Sequence, residues 1–195
     1  MSAIEVRVAA PSDVEDVARV CRLTADAGRP QPEDVVDPDL VADVYARPYL
    51  VLEPQTARVL LADDLVAGYV VGAVDSASFY RRWQQVWTPT RLPRPEGADP
   101  GLVTLLARPL AALPDGLRRY PSHLHVNLLP HVRGGGNGAL LLAAFMDGLV
   151  QAGSPGVHLR VDRANTSARQ FYERIGFEAE DEHLDALVMV RALGS

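Results

Sequence analysis

Four glycines fall within five residues in Arg133-Gly134-Gly135-Gly136-Asn137-Gly138, directly ahead of an apolar run that reads as a helix. Glycine removes side-chain bulk and lets a phosphate approach the backbone closely. Unpaired N–H groups at a helix start, where the dipole is positive, suit phosphate or pyrophosphate. A Walker-type phosphate loop needs a lysine after its glycines. All 19 basic residues here are arginine, so that class is excluded. Gly134, Gly136 and Ala139 also satisfy the dinucleotide fingerprint G-x-G-x-x-A, with Asp162 where a ribose-binding acid belongs. Against it, the chain after Asp162 is too short to complete a doubly wound sheet, and His131 to Arg133 separate the strand from the first glycine. A flexible surface loop is the plain alternative, disfavoured by the strand and helix that abut the glycines.

A second cluster follows: Asn165, Ala168, Phe171-Tyr172 and Gly176-Phe177. The chain has three asparagines, Asn127, Asn137 and Asn165, and all fall in this region. Asn165 reads as an N-cap, a ligand contact, or both. Ala168, Phe171, Tyr172 and Ile175 have helical spacing, so Tyr172 is either a core aromatic or a phenol facing a site. Strand alternation sets His123, His125 and Asn127 on one face, and His158, Arg160 and Asp162 on one face of the next strand. If those strands are neighbours, a polar cluster results.

With the pieces in this order, the chain resembles the GCN5-related N-acetyltransferase superfamily. Arg133-x-x-Gly136-x-Gly138 matches its pyrophosphate signature, and Leu128-x-Pro130 its strand end. Asn165-x-x-Ala168-x-x-Phe171-Tyr172-x-x-x-Gly176-Phe177 matches its second motif. The departure is an insertion at about 76–121. That insertion and Tyr120-Pro121-Ser122-His123-Leu124-His125 look like the acetyltransferase-like C-terminal domain of eukaryotic O-GlcNAc hydrolase and its bacterial relatives.

The resemblance implies acetyl transfer from acetyl-CoA to a small-molecule or peptide amine, by direct attack in a ternary complex and without a metal. It implies a pyrophosphate cradle from the amides of Arg133, Gly134, Gly135, Gly136, Asn137, Gly138 and Ala139, with Asn165 on the amide-bearing arm. Leu128 and Leu129 would pair with the pantetheine, one amide polarising the thioester carbonyl, and Tyr172 would protonate the departing thiolate. Where some members carry a glutamate base this chain has Ser122, which leaves His123 or His125, a base acting through water, or a catalytically inactive acetyl-CoA-binding module.

These residues need elements to hold them. Ala3–Val8 reads as a strand, and Ser12 with Glu15 as a capping box opening a helix to about Ala27. Asp39–Ala46 reads as a short helix and Tyr49–Glu53 as an extended piece. Asp63-Asp64 reads as the turn of a hairpin between Ala57–Ala62 and Leu65–Asp75. Ser78–Trp87 reads as a helix, proline-rich Thr88–Pro100 as a surface loop or lid, and Leu102–Leu113 as a weak helix. Trp83 and Trp87, one turn apart, read as core or as a wall of the acceptor pocket. His123–Leu129 and Val157–Val161 read as strands, each followed by a helix, Gly138–Gln151 and Thr166–Ile175. Phe177–Glu180 and Ala186–Ala192 close as strands, and acidic Glu178–Asp185 reads as a solvated turn. The fold class is α/β (α+β), a mixed and mostly antiparallel sheet with helices on both faces.

Length and composition bound the rest. A chain of 195 residues with 48% hydrophobic and 23% charged residues fits a single globular domain. A net charge of -6 argues against a nucleic-acid surface. The longest apolar run, Ala139–Met146, falls far short of the roughly 20 residues of a membrane helix. A lone Cys21 on an amphipathic helix reads as a buried thiol in a reduced, cytoplasmic chain. The expected assembly is a monomer or homodimer.

Overall fold

The computed structural model describes all residues except 1–2, 27, 114–116, 183–185 and 195. β1 (Ile4–Val8) pairs antiparallel with β2 (Arg58–Ala62), and β2 with β3 (Leu65–Ala73). The hairpin turns as its sequence demands. Asp63 and Asp64 take φ of 50° and 66°, the left-handed pair whose twist matches two flanking strands. β3 continues antiparallel to β4 (Ser122–Leu128), and β4 lies parallel to β5 (Gly156–Asp162). β6 (Glu178–Glu182) and β7 (Ala186–Ala192) complete a seven-stranded sheet of order β1-β2-β3-β4-β5-β7-β6.

β4 and β5 form the one weak seam. β3 and β4 stay in register from Gly68–Leu128 to Ala73–His123, whereas β4 and β5 pair only at Ser122–Val157 and His123–His158. Beyond those pairs the parallel strands part. The crevice beyond the carboxyl ends of parallel strands is where α/β sheets bind ligands.

Alternation along the central strands feeds a core on each face. Val59, Leu61, Tyr69 and Val71 face one cluster, with α1 (Val14–Arg22), α2 (Leu40–Tyr45) and α3 (Arg47–Leu52). Leu60, Ala62 and Val70 face the other, with α7 (Asn137–Gln151), against which α8 (Thr166–Arg174) also packs. The insertion builds α4 (Ser76–Arg82), a π-helical turn at Trp83–Trp87, α5 (Thr88–Arg91) and α6 (Pro100–Ala107). It shares the first core rather than making its own. Phe79 stacks on Tyr49 at 4.5 Å between centroids, and the indoles of Trp83 and Trp87 donate to the carbonyls of Leu106 and Asp43.

Several local expectations are corrected. The carboxylate of Asp13, not Ser12, closes the turn before α1, accepting the Ala10 N–H and the Arg7 guanidinium. α1 stops at Arg22; Ala27 lies outside the described residues. Tyr49–Glu53 is not extended: Pro48 fits the first turn of α3, and helical winding buries Tyr49 and Leu50. Thr88–Pro100 is neither all loop nor a free lid. Its first turn is helical, and Arg94 is clamped by both oxygens of Asp37 and by Asp43. α6 ends at Ala107, ahead of Arg108-Pro109, since the residue before proline disfavours helix. Glu178–Glu182 is a strand held by β7, and 183–185 lie outside the described residues. Among the described residues no helix is long and apolar enough to cross a membrane.

Candidate active site

A cleft of about 850 Å³ fills the gap between β4 and β5. Leu128, Gly134, Gly136, Gly138 and Ala139 line it toward the glycine loop, and Tyr45, His125, Asn165 and Tyr172 line other parts of its wall.

At the loop, Gly134, Gly135 and Gly136 all take positive φ, 82°, 59° and 84°. An L side chain would be strained there, which is why this turn needs glycine. A Cβ at any of the three would meet nothing within 4 Å, so the glycines face open space. α7 starts after Gly136, and its backbone bonds into the loop run from Asn137 N–H to Gly134 O and from Leu140 N–H to Gly136 O, skipping the two residues between. The N–H groups of Gly138 and Ala139 therefore have no backbone acceptor among the described residues. Gly138 has a second reason to be glycine: a Cβ would lie 3.1 Å from the Phe171 ring, where α7 and α8 touch.

Not every glycine-loop residue meets the cleft. Asn137 donates its side-chain amide to Val132 O, fastening the loop, and neither it nor Gly135 lines the cleft. Arg133 does line it, but its Nε donates to Leu128 O at 2.9 Å and a terminal nitrogen to Gly28 O at 2.6 Å. It straps the end of β4 to the segment after α1.

Leu128 and Leu129 divide. The Leu129 N–H donates to Ala67 O at 2.8 Å, so it is engaged with the β3 chain and cannot pair with a ligand. That bond also sets the parity of β4. Odd-numbered residues hydrogen-bond toward β3, and, past the last β4–β5 pair, the even-numbered Val126 and Leu128 point theirs into the gap. Val126 is the site residue that sequence reasoning missed; only the pairing of β3 with β4 reveals it.

Across the cleft, Asn165 caps α8, its side-chain oxygen accepting the Ala168 N–H at 3.0 Å. Its amide nitrogen has no partner among the described residues. Tyr172 lies between the rings of Phe171 and Phe177, 5.4 and 5.7 Å away. Burial pushes its phenol up to about 12. It is therefore protonated at neutral pH, as a proton donor must be.

The expected polar cluster forms in part, from His123, His125 and His158; Asn127 turns to Tyr69 OH, and Asp162 is exposed and accepts the Ala164 N–H. The His123 ring lies 5.9 Å from both His125 and His158, and Tyr49 OH sits between the two β4 histidines, 2.9 Å from His123 Nε2 and 3.0 Å from His125 Nε2. His125 lines the cleft with Tyr45 edge-on at 5.2 Å. His123 does not: it is enclosed by Tyr49, Phe79 and Tyr80, so it cannot touch a substrate. Burial, then the neighbouring histidines, hold His123 well below the ordinary imidazole value; burial and then His158 push His125 down to about 4. Both are neutral at physiological pH.

Ser122, standing where a glutamate base was sought, is a core residue bonded to Val74 O and Ser154. Cys21 is buried, and desolvation lifts its thiol to about 11. Trp83 and Trp87 are buried and take no part in the cleft.

A splayed parallel pair with a glycine turn at its mouth, inside a mostly antiparallel sheet, defines an acyltransferase-type α/β fold. The match to known proteins agrees. Residues 101–185 match the family described as FR47-like protein. The crystal structure of SsHAT superposes with a TM-score of 0.92 at 34% identity, covering 99% of this chain and 100% of that one. PaiA N-acetyltransferase from Thermoplasma acidophilum, in complex with coenzyme A, gives 0.61 at 16% identity over 97% and 99% of the chains. YncA from Salmonella typhimurium, a putative acetyltransferase with acetyl-CoA, gives 0.60 at 16% identity over 98% and 95%. The chain belongs to the GCN5-related N-acetyltransferase superfamily.

Proposed function

We propose that this protein is an acetyl-CoA-dependent N-acetyltransferase that joins donor and amine acceptor in one ternary complex. The observation that carries the reading is a cleft with open helix-start amides at one end and a half-buried phenol and imidazole on its walls. The residues fit acetyl-CoA. The amides around Gly136, Gly138 and Ala139 suit the pyrophosphate. The free even-numbered edge of β4, at Val126 and Leu128, suits the pantetheine as an added strand, one amide polarising the thioester carbonyl. Asn165 has a side-chain amide left for the same arm.

In the reaction the amine nitrogen attacks the acetyl carbonyl, forming the N–C bond as the C–S bond breaks. The amine's proton goes to His125, the one histidine that lines the cleft among the described residues. Tyr172 gives its proton to the departing thiolate. A second depression shares Ala25, Val41 and Tyr45 with the cleft and reaches Leu102 and Leu105 of the insertion. We assign it to the acceptor. The shared core of insertion and sheet supports one domain, and the insertion with Tyr120–His125 supports kinship with the O-GlcNAc hydrolase acetyltransferase-like domain.

One observation favours a non-catalytic CoA-binding module instead: Ser122 stands where an acidic base was sought. Titration with acetyl-CoA tests both readings, since absence of saturable binding sinks each. Release of free thiol with panels of amines, amino sugars and peptides then separates them. Saturable binding with no turnover on any acceptor leaves the module.

A further inference from the structure

Behind His125 lies a chain of side chains that the acetyl-transfer reading leaves without a role. Ser76 Oγ contacts both the Pro121 carbonyl and His123 Nδ1, the latter at 2.7 Å; His123 Nε2 contacts Tyr49 OH, and Tyr49 OH contacts His125 Nε2. Each hydroxyl has one proton, so the directions can be worked out. A carbonyl only accepts, so Ser76 donates to Pro121. Ser76 then has only a lone pair for His123, whose Nδ1 carries hydrogen. A neutral His123 leaves Nε2 bare, and it accepts from Tyr49. Tyr49 has no second proton, so His125 Nε2–H donates to it. The lone pair of His125 is thereby fixed at Nδ1, the nitrogen with no partner among the described residues, on a ring that lines the cleft.

We propose that Tyr49, His123 and Ser76 form a directed hydrogen-bond relay that fixes His125 as the Nε2–H tautomer. The inference rests on the acetyl-transfer reading and adds positioning residues to it. When the amine's proton arrives at His125 Nδ1, the ring keeps its Nε2–H on the Tyr49 oxygen and the charge stays at the cleft wall. His123, enclosed by Tyr49, Phe79 and Tyr80, stays neutral and holds Tyr49 in the direction that orients His125.

The test reads tautomers directly, by long-range proton–nitrogen NMR of the histidine rings in the ligand-free protein at neutral pH. The expected result is hydrogen on Nδ1 in His123 and on Nε2 in His125. The reverse tautomer at His125 overturns the relay, whatever the activity. Tyr49→Phe removes only a hydroxyl; it should let the His125 tautomers mix and lower kcat roughly 10-fold or more, with KM for acetyl-CoA unchanged. Ser76→Ala, should Tyr49→Phe not fold, should release the His123 tautomer in the same spectra. Unchanged tautomers in whichever variant folds overturn the relay. The expected tautomers in a protein that binds no acetyl-CoA refute the donor reading instead, which keeps the two failures apart.

Discussion

The two working parts of the cleft are built on opposite principles. The glycine loop offers backbone: three left-handed residues with nothing within 4 Å of where a side chain would start. The histidine cluster offers side chains held by one another from distant segments, as in Tyr49 to His123 and Ser76 to His123. Backbone amides recognise a phosphate on any donor that carries one, and leave the loop open until it arrives. An enclosed side-chain cluster instead sets protonation states before any ligand is present, because burial decides them. On the proposed reading, the donor end is therefore recognised by backbone and the chemistry beside it is set by side chains.

The sharpest way to break this comparison is at Tyr172, which belongs to neither part. Tyr172→Phe keeps the ring against Phe171 and Phe177 and removes only the acid. We expect kcat to fall roughly 10²-fold or more while acetyl-CoA binding by titration stays within a few-fold. Turnover unchanged by the substitution would falsify the acid assignment. Next is the loop itself. Gly136→Glu places a carboxylate and a strained φ where the proposed reading seats the pyrophosphate, and acetyl-CoA affinity should fall roughly 100-fold. Gly136→Asn tolerates the left-handed conformation, has room for its side chain, and should bind close to normally. If Asn weakens binding as much as Glu does, the loop is not read by its backbone.

The histidine cluster is probed by acid. His125 is held near 4, below an unfolded value of about 6.5, so the unfolded chain binds the proton more readily between those values. Its stabilising contribution is complete above pH 6.5 and drains away as pH falls toward 4. On the order of 2 kcal/mol should be lost across that window, and His123 adds in the same direction. Thermal melts from pH 7 to pH 4.5 should show the fall, and His125→Gln should flatten it. A variant with the same slope as the parent places the acid sensitivity elsewhere.

The same contrast explains what could be read from the chain before its fold was seen. The donor end is local: Gly134 to Ala139 are consecutive, and Asn165 to Phe177 lie along one turn-helix segment. Spacing alone announces both. The hairpin at Asp63-Asp64 is local too. Tyr49 and Ser76 join His123 from 74 and 47 residues away, and no periodicity announces a contact of that range. Tyr49 was hidden further by its neighbours, since Tyr-Leu-Val-Leu reads as strand while Pro48 and the core wind it into α3. Leu129 failed for a subtler reason. Which β4 amides point into the gap depends on register with β3, and a one-residue error exchanges the bonded set for the free one.

Asn165 is where a small effect separates the two principles, because it belongs to both. Its side-chain oxygen caps α8 through Ala168, a structural duty, while its amide nitrogen is left toward the cleft. Asn165→Ala removes both and should cost about 1 kcal/mol of stability by denaturant melt. Asn165→Asp keeps the capping oxygen but has no amide hydrogen to give, so stability should return to within a few tenths of a kcal/mol. If the amide holds the pantetheine arm, Asn165→Asp should still raise KM for acetyl-CoA several-fold, about the worth of one hydrogen bond. If Asp restores both stability and KM, Asn165 is a cap and nothing more, and the donor arm is held by β4 backbone alone. The donor end would then be backbone throughout, and the contrast with the histidine cluster would be complete.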